Sequence, residues 1–218
     1  MTLSQRWHDN YVFMHKFKKH IHKHHRMKTI KLPLLLALTT ALLSSCGYNT
    51  LVEYDEQVSQ KWADVESQYQ RRADLIPNLV NTVKAYADFE QETLRQVIEA
   101  RSKATSVNLS ADELTPENIA KFQQAQEELS GALSRLLVTV ERYPDLKANQ
   151  NFLELQAQLE GTENRIAVAR QNFNEAVKQY NAYRRKFPQL LIAKMFDFEP
   201  KGYFEAEKGT ETAPEVEF

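Results

Sequence analysis

The chain has 218 residues, 42 % hydrophobic and 26 % charged, enough for one good-sized core. Five glycines and seven prolines are few turn-formers, which favours long helices over many short strands. A single cysteine, Cys46, excludes an intramolecular disulfide framework, and without a CxxC there is no thiol pattern for zinc or redox chemistry.

The formal net charge of −1 averages two unlike segments. Residues 1–45 carry eight Lys or Arg and one acid, Asp9, and residues 46–218 carry a net −8. All six histidines lie in the first 26 residues. An acidic body without clustered Lys and Arg argues against nucleic-acid binding, which needs cations to replace phosphate counterions.

In chain order, residues 1–26 come first, with His20, His22, His24 and His25 in a metal-like cluster. They are expected to lie outside the mature protein, with Met27 as the start, so that no metal is implied. Residues 27–45 read as a signal peptide: Lys28 and Lys31, then the uncharged LPLLLALTTALL of Leu32 to Leu43. Twelve residues are too few for a hydrocarbon core that needs roughly 20. Leu43-Ser44-Ser45-Cys46 resembles the bacterial lipobox, in which the cysteine receives diacylglycerol and a further acyl chain such as palmitate. Two or three chains anchor stably where one is marginal. An uncleaved signal anchor is the competing reading. Gly47, where an Asp would favour inner-membrane retention, leans toward outer-membrane sorting.

Residues 46–218 then show four segments with apolar residues at alternating three- and four-residue steps. The first runs from about Tyr48 to Arg72 through Leu51, Val58, Trp62, Val65 and Tyr69. Ile76-Pro77 ends it, because the residue before proline is pushed out of the helical region; a kink in one continuous helix is the alternative to a turn. The second runs from Pro77 to about Thr105. Ser106 to Leu114 reads as a polar loop. The third begins at Thr115-Pro116, a hydroxyl N-cap with proline at the first helical position, and reaches Tyr143. The fourth steps 3-4-3-4 from Phe152 through Ile166, Phe173 and Tyr180 to Phe187, the stripe of a bundle helix. Leu190 to Phe204 form an apolar-aromatic segment expected to fold back and cap one end, with an exposed patch as the alternative. The fold class expected is all-α: an antiparallel up-and-down four-helix bundle with long helices and a short C-terminal capping segment.

QYQRRADLIPNLVNTVKAYADFE is the most unusual stretch of the body. Arg71, Arg72, Asp74, Asn78, Asn81 and Lys84 either make a small polar interaction site or pair locally and face solvent. Several stretches together resemble the LemA family of bacterial envelope proteins. They are YNTLV (48–52), the stretch just quoted (68–90), IEARSKA (98–104), ERYPDLKANQNFLELQAQLEGTENRIAVARQNFNEAVKQYN (141–181), FP…LIAKMFDF (187–198) and PEVEF (214–218). The resemblance implies a helical bundle outside the cytoplasmic membrane, tethered at its amino terminus, and implies no reaction. Within the fourth segment Asn164, Asn174 and Asn181 lie close to one helical face. They are either register-setting polar positions in the seam or an interaction stripe.

No histidine and no mature free thiol remain for a Ser-His-Asp set, a Cys-His pair or a Glu-x-x-His di-iron site. A carboxylate-only hydrolase is the remaining catalytic alternative. The sequence therefore reads as a non-enzymatic, cofactor-free interaction or scaffold module in the cell envelope. It is held to the membrane by its lipid, faces the periplasm or exterior, and has an envelope protein as partner. A structural spacer or self-associating bundle is the second reading.

Overall fold

The computed structural model describes residues 47–85 and 90–205. The lipobox Leu43 to Cys46, the histidine cluster, the 27–45 segment and the 206–218 tail lie outside the described residues. Residues 47–49, which are helical, fall with the separate unit Met1–Asn49, and the body described below is the unit Thr50–Phe218. Among the described residues the chain is all-helical, with no strand.

Helix α1 occupies residues 50–84 of this body without interruption. The expected turn at Ile76-Pro77 is not there, and the helix passes through the proline. Pro77 has no N–H to give the carbonyl of Ala73, four residues earlier. Arg101 from the next helix donates its Nε to that oxygen at 2.8 Å, so a neighbour supplies the missing bond. Around the proline, Ala73, Ile76, Leu79, Val80 and Val83 are all buried. Each buried Ile, Leu or Val contributes about 1.5–3 kcal/mol, so the stripe outweighs a proline cost of about 3 kcal/mol.

Helix α1 ends at residue 84, and α2 is Gln91–Ser106, shorter than its apolar pattern suggested. The loop after it is not wholly irregular. A 3-10 turn at Ala111–Glu113 is closed by a capping box between Ser110 and Glu113. Helix α3, Pro116–Val140, begins as expected, with Thr115 accepting a hydrogen bond from the Asn118 N–H. Pro144–Lys147 forms the one-turn helix α4, and Asn149 caps α5, Gln150–Arg184, which at 1.5 Å per residue is about 52 Å long. Helix α6 is Gln189–Met195. Its end is a left-handed turn: Asp197 has φ 53°, and the Phe198 N–H bonds the Ala193 carbonyl at 2.9 Å. This turn sends residues 198–205 back along α5 as an extended strap.

Two large apolar clusters fill most of the interior. One joins Ile76 to Val83 of α1, Leu94 to Ala104 of α2, Leu129 to Val140 of α3, Leu146, and Phe152 and Leu159 of α5. The other joins Val58 to Tyr69 of α1, Leu114, Ile119 and Phe122, Ile166 to Tyr180 of α5, and Phe204 from the strap. No buried residue of α2 reaches the second cluster. Phe204 takes that corner instead, with its ring 5.5 Å from Phe173 and 6.2 Å from Trp62. The loop is pinned to the same place, where the Trp62 indole N–H donates to the Leu109 carbonyl. The C-terminal segment thus has two parts: α6 covers Leu51 at one end of the body, and the strap fills the length that α2 leaves open.

Candidate functional site

The residues singled out in the sequence do not form one site; the fold distributes them over three. Arg72 is 1 % exposed and lies where the two apolar clusters meet. Its guanidinium donates to Ser130 Oγ at 2.7 Å, Glu163 Oε1 at 2.6 Å, and the Gln126 carbonyl and Oε1 at 3.2 and 2.7 Å. It also stacks on Tyr69, 5.1 Å from the ring centroid. Gln126 passes the network on, donating its amide to the Ala104 carbonyl in the last turn of α2. That oxygen is one of the orphan acceptors every helix end presents. A single buried cation therefore ties α1, α3 and α5 together, and through Gln126 it also closes the end of α2. As an interaction residue Arg72 is withdrawn, because nothing outside the protein can reach it.

Asn174 and Asn181 face the strap. Asn181 donates its Nδ2 to the Lys201 carbonyl at 2.8 Å and accepts from the Lys201 N–H at 3.2 Å. Asn174 does the same for Phe204, at 2.9 Å in both directions. Gln123 of α3 repeats the pattern on Glu205 at 3.2 and 3.0 Å. A primary amide carries one acceptor and one donor group at the spacing of a backbone peptide. These three side chains thus act as the neighbouring strand that the extended strap otherwise lacks. The spacing also fits: seven helical residues rise about 10.5 Å and three extended residues span about 10 Å. Buried Lys201 adds a bond to the Ala111 carbonyl at 2.9 Å and an ion pair with Asp55 at 3.1 Å. The asparagines are thus neither seam residues nor an outward stripe. Asn164, by contrast, is exposed and plays no part in the clasp.

The clasp needs Gly202. A Cβ there would lie 2.8 Å from the Pro116 Cα and 2.9 Å from the Thr115 carbonyl oxygen, and the Gly202 N–H bonds the Leu114 carbonyl at 2.8 Å. Beside the strap runs an open groove of about 580 Å³, lined by Gln123, Glu127, Arg184, Arg185, Lys201 and Tyr203 among others.

Arg71, Asp74, Asn78, Asn81 and Lys84 are all exposed, in 3-4-3-3 steps along α1. Asp74 accepts from Gln70, one turn earlier in the same helix, at 2.7 Å. This is the part of the predicted set that another molecule can reach.

Gln123, Gln126, Glu163, Lys201 and Gly202 were not read from the sequence. A signal existed for part of the set. The α1 stripe 58-62-65-69-72-76 puts Arg72 in an inward slot, and the α3 stripe 119-122-126-129-133 does the same with Gln126. For Lys201 and Gly202, in a segment with no periodicity, nothing local pointed to burial.

Chemically, the guanidinium amino groups of Arg72 and the amides of Gln123, Gln126, Asn174 and Asn181 are engaged in holding backbone and side chains of the protein itself. Among the described residues no three His, Cys, Asp or Glu side chains are grouped to hold a metal ion. The structure defines an all-helical body whose own C-terminal segment is gripped along α5, with a polar face left open on α1. The chain belongs to the LemA family, whose family model matches residues 61–218. It is 23 % identical over 158 residues to Protein LemA of Metamycoplasma hominis, covering 72 % of this chain and 68 % of that one. Similarity extends to Magnetosome protein MamQ 2 of Paramagnetospirillum magneticum, 25 % identical over 205 residues, 86 % of this chain and 75 % of the relative. Magnetosome protein MamQ of Magnetospirillum gryphiswaldense is 26 % identical over 203 residues, 85 % and 74 % of the two chains.

Proposed function

We propose that this protein is a lipid-anchored, non-catalytic interaction module of the bacterial cell envelope. In this reading Cys46 carries the lipid, residues 27–45 are its signal, and residues 46–218 present a rigid helical body to the periplasm or exterior. The observation that carries the interaction role is the exposed polar face Arg71, Asp74, Asn78, Asn81 and Lys84, whose residues are free of any duty in the core. We read the body as an up-and-down four-helix bundle of α1, α2, α3 and α5. Support comes from pairings that run in opposite senses on α2 and α3: Glu90 with Arg142, Lys103 with Glu128, Ala104 with Gln126. Among the described residues no helix is long and apolar enough to cross a membrane.

A photo-crosslinking amino acid at Asn78, compared with one at Glu154 on α5, tests the role in cells. An adduct with a second protein from position 78 alone is the expected result. Adducts only between copies of this chain favour the spacer reading and remove the interaction module. Metabolic labelling with a clickable palmitate tests the anchor: label is expected on the native chain and absent from Cys46→Ser. Persistent label in that variant overturns it.

A further inference from the structure

Helix α6 turns Ile192 and Ala193 inward onto Leu51 and leaves Leu191 and Met195 exposed. Phe187 is 82 % exposed, Met195 73 %, Leu191 57 % and Phe196 55 %, and all belong to one ten-residue stretch. Scattered exposed apolar residues need no explanation, but two phenylalanines, a leucine and a methionine on α6 and its two flanks do. Their rim is basic: Arg185, Lys186 and Lys194 are exposed, while residues 46–218 as a whole carry net −8. Asp197 and Glu199 follow on the strap side.

Position narrows the choice of occupant. Leu51, beneath α6, is five residues from Cys46, at most about 18 Å of extended chain. We propose that this apolar tip rests in the headgroup–acyl boundary of an anionic bilayer, with Arg185, Lys186 and Lys194 on the phosphates. Amphipathic helices with a basic rim sit about 5–10 Å into that boundary. The inference rests on the anchor reading, since a lipid on Cys46 is what keeps this end of the body near a membrane. Its consequence is orientation: α6 faces the lipid, and the far end of the body, with Val138 of α3, points away from it.

The test uses the full chain, purified from membranes and reconstituted in vesicles of phosphatidylethanolamine and phosphatidylglycerol. An environment-sensitive thiol dye is placed at Met195→Cys, or at Val138→Cys as the distant control, and spin-labelled lipids serve as quencher. Quenching at position 195 and none at 138 is expected. Adding Arg185→Glu, Lys186→Glu and Lys194→Glu should weaken tip insertion by roughly fivefold per cation removed, the equivalent of about 1 kcal/mol for each Lys or Arg near an anionic surface. Equal and negligible quenching at both positions overturns the proposal. So does crosslinking between copies at 195 without lipid quenching, which assigns the face to a second copy. Dye protection that needs no lipid and vanishes when residues 206–218 are deleted assigns it to the tail, with the same consequence. Peptide mapping of the dye separates the two claims: dye on Cys46 shows a free thiol and sinks the anchor reading, while quenching at position 195 still reports on the tip.

Discussion

Three residues show how single side chains govern this protein. Gly202 sits against the backbone of residues 115 and 116, where the Cβ contact of 2.8 Å involves main-chain atoms that have nowhere to go. Gly202→Ala is expected to cost about 1–3 kcal/mol through that overlap, measured as a lower urea midpoint. Asn181 holds both polar groups of the Lys201 peptide, so Asn181→Ala leaves a buried donor and a buried acceptor unsatisfied and costs about 1–3 kcal/mol. An unchanged urea midpoint in either variant would mean that the strap contributes nothing to stability. Arg72 is the third. Arg72→Lys keeps the charge beside Glu163 but loses the fork that reaches Gln126 and Ser130, and it is expected to cost about 1–3 kcal/mol.

At the scale of elements, the proline in α1 and the arginine on α2 form one device. Pro77 frees the Ala73 carbonyl, and Arg101 takes it. Arg101→Ala should therefore destabilise the native chain more than it destabilises a Pro77→Ala chain, in which the restored N–H bonds the same oxygen. A double-mutant cycle is expected to give a coupling of about 1 kcal/mol, the worth of one such bond. Strict additivity would mean that the Arg101 contact is incidental to the proline. The same pair explains why the first helix is longer than its sequence suggested. Proline is a local stop signal, whereas the remedy for it comes from a residue 28 positions away.

For the molecule as a whole, burial of two tyrosines makes stability depend on alkaline pH. Tyr180 and Tyr69 titrate above their ordinary value of 10.0 because burial disfavours the phenolate; for Tyr69 nearby Arg170 and Arg72 pull partly the other way. The fold thus prefers the neutral phenols, and their contribution is complete below pH 10. Above that the unfolded chain ionises first, so stability falls as pH rises. Denaturation midpoints measured between about pH 9 and about pH 11 should decline, and Tyr180→Phe should flatten the decline. An equally steep decline in Tyr180→Phe would place its cause elsewhere.

The sequence by itself determined the helical class, the inward stripes of the long helices, the Thr115-Pro116 start of α3, and the stretches that carry the family. These are legible because periodicity, capping and turn chemistry act within a few residues. The tertiary structure alone decided that α1 continues through Pro77, that Arg72 is buried with Gln126 and Glu163, and that Asn174 and Asn181 grip residues 201–204. Each of these depends on a partner 20 to 91 positions away, whose proximity local sequence does not encode. The open face Arg71 to Lys84 stands between the two. Its residues were legible as a group, but only the packing of Arg72 into the core separated those that can meet another molecule from the one that holds the body together.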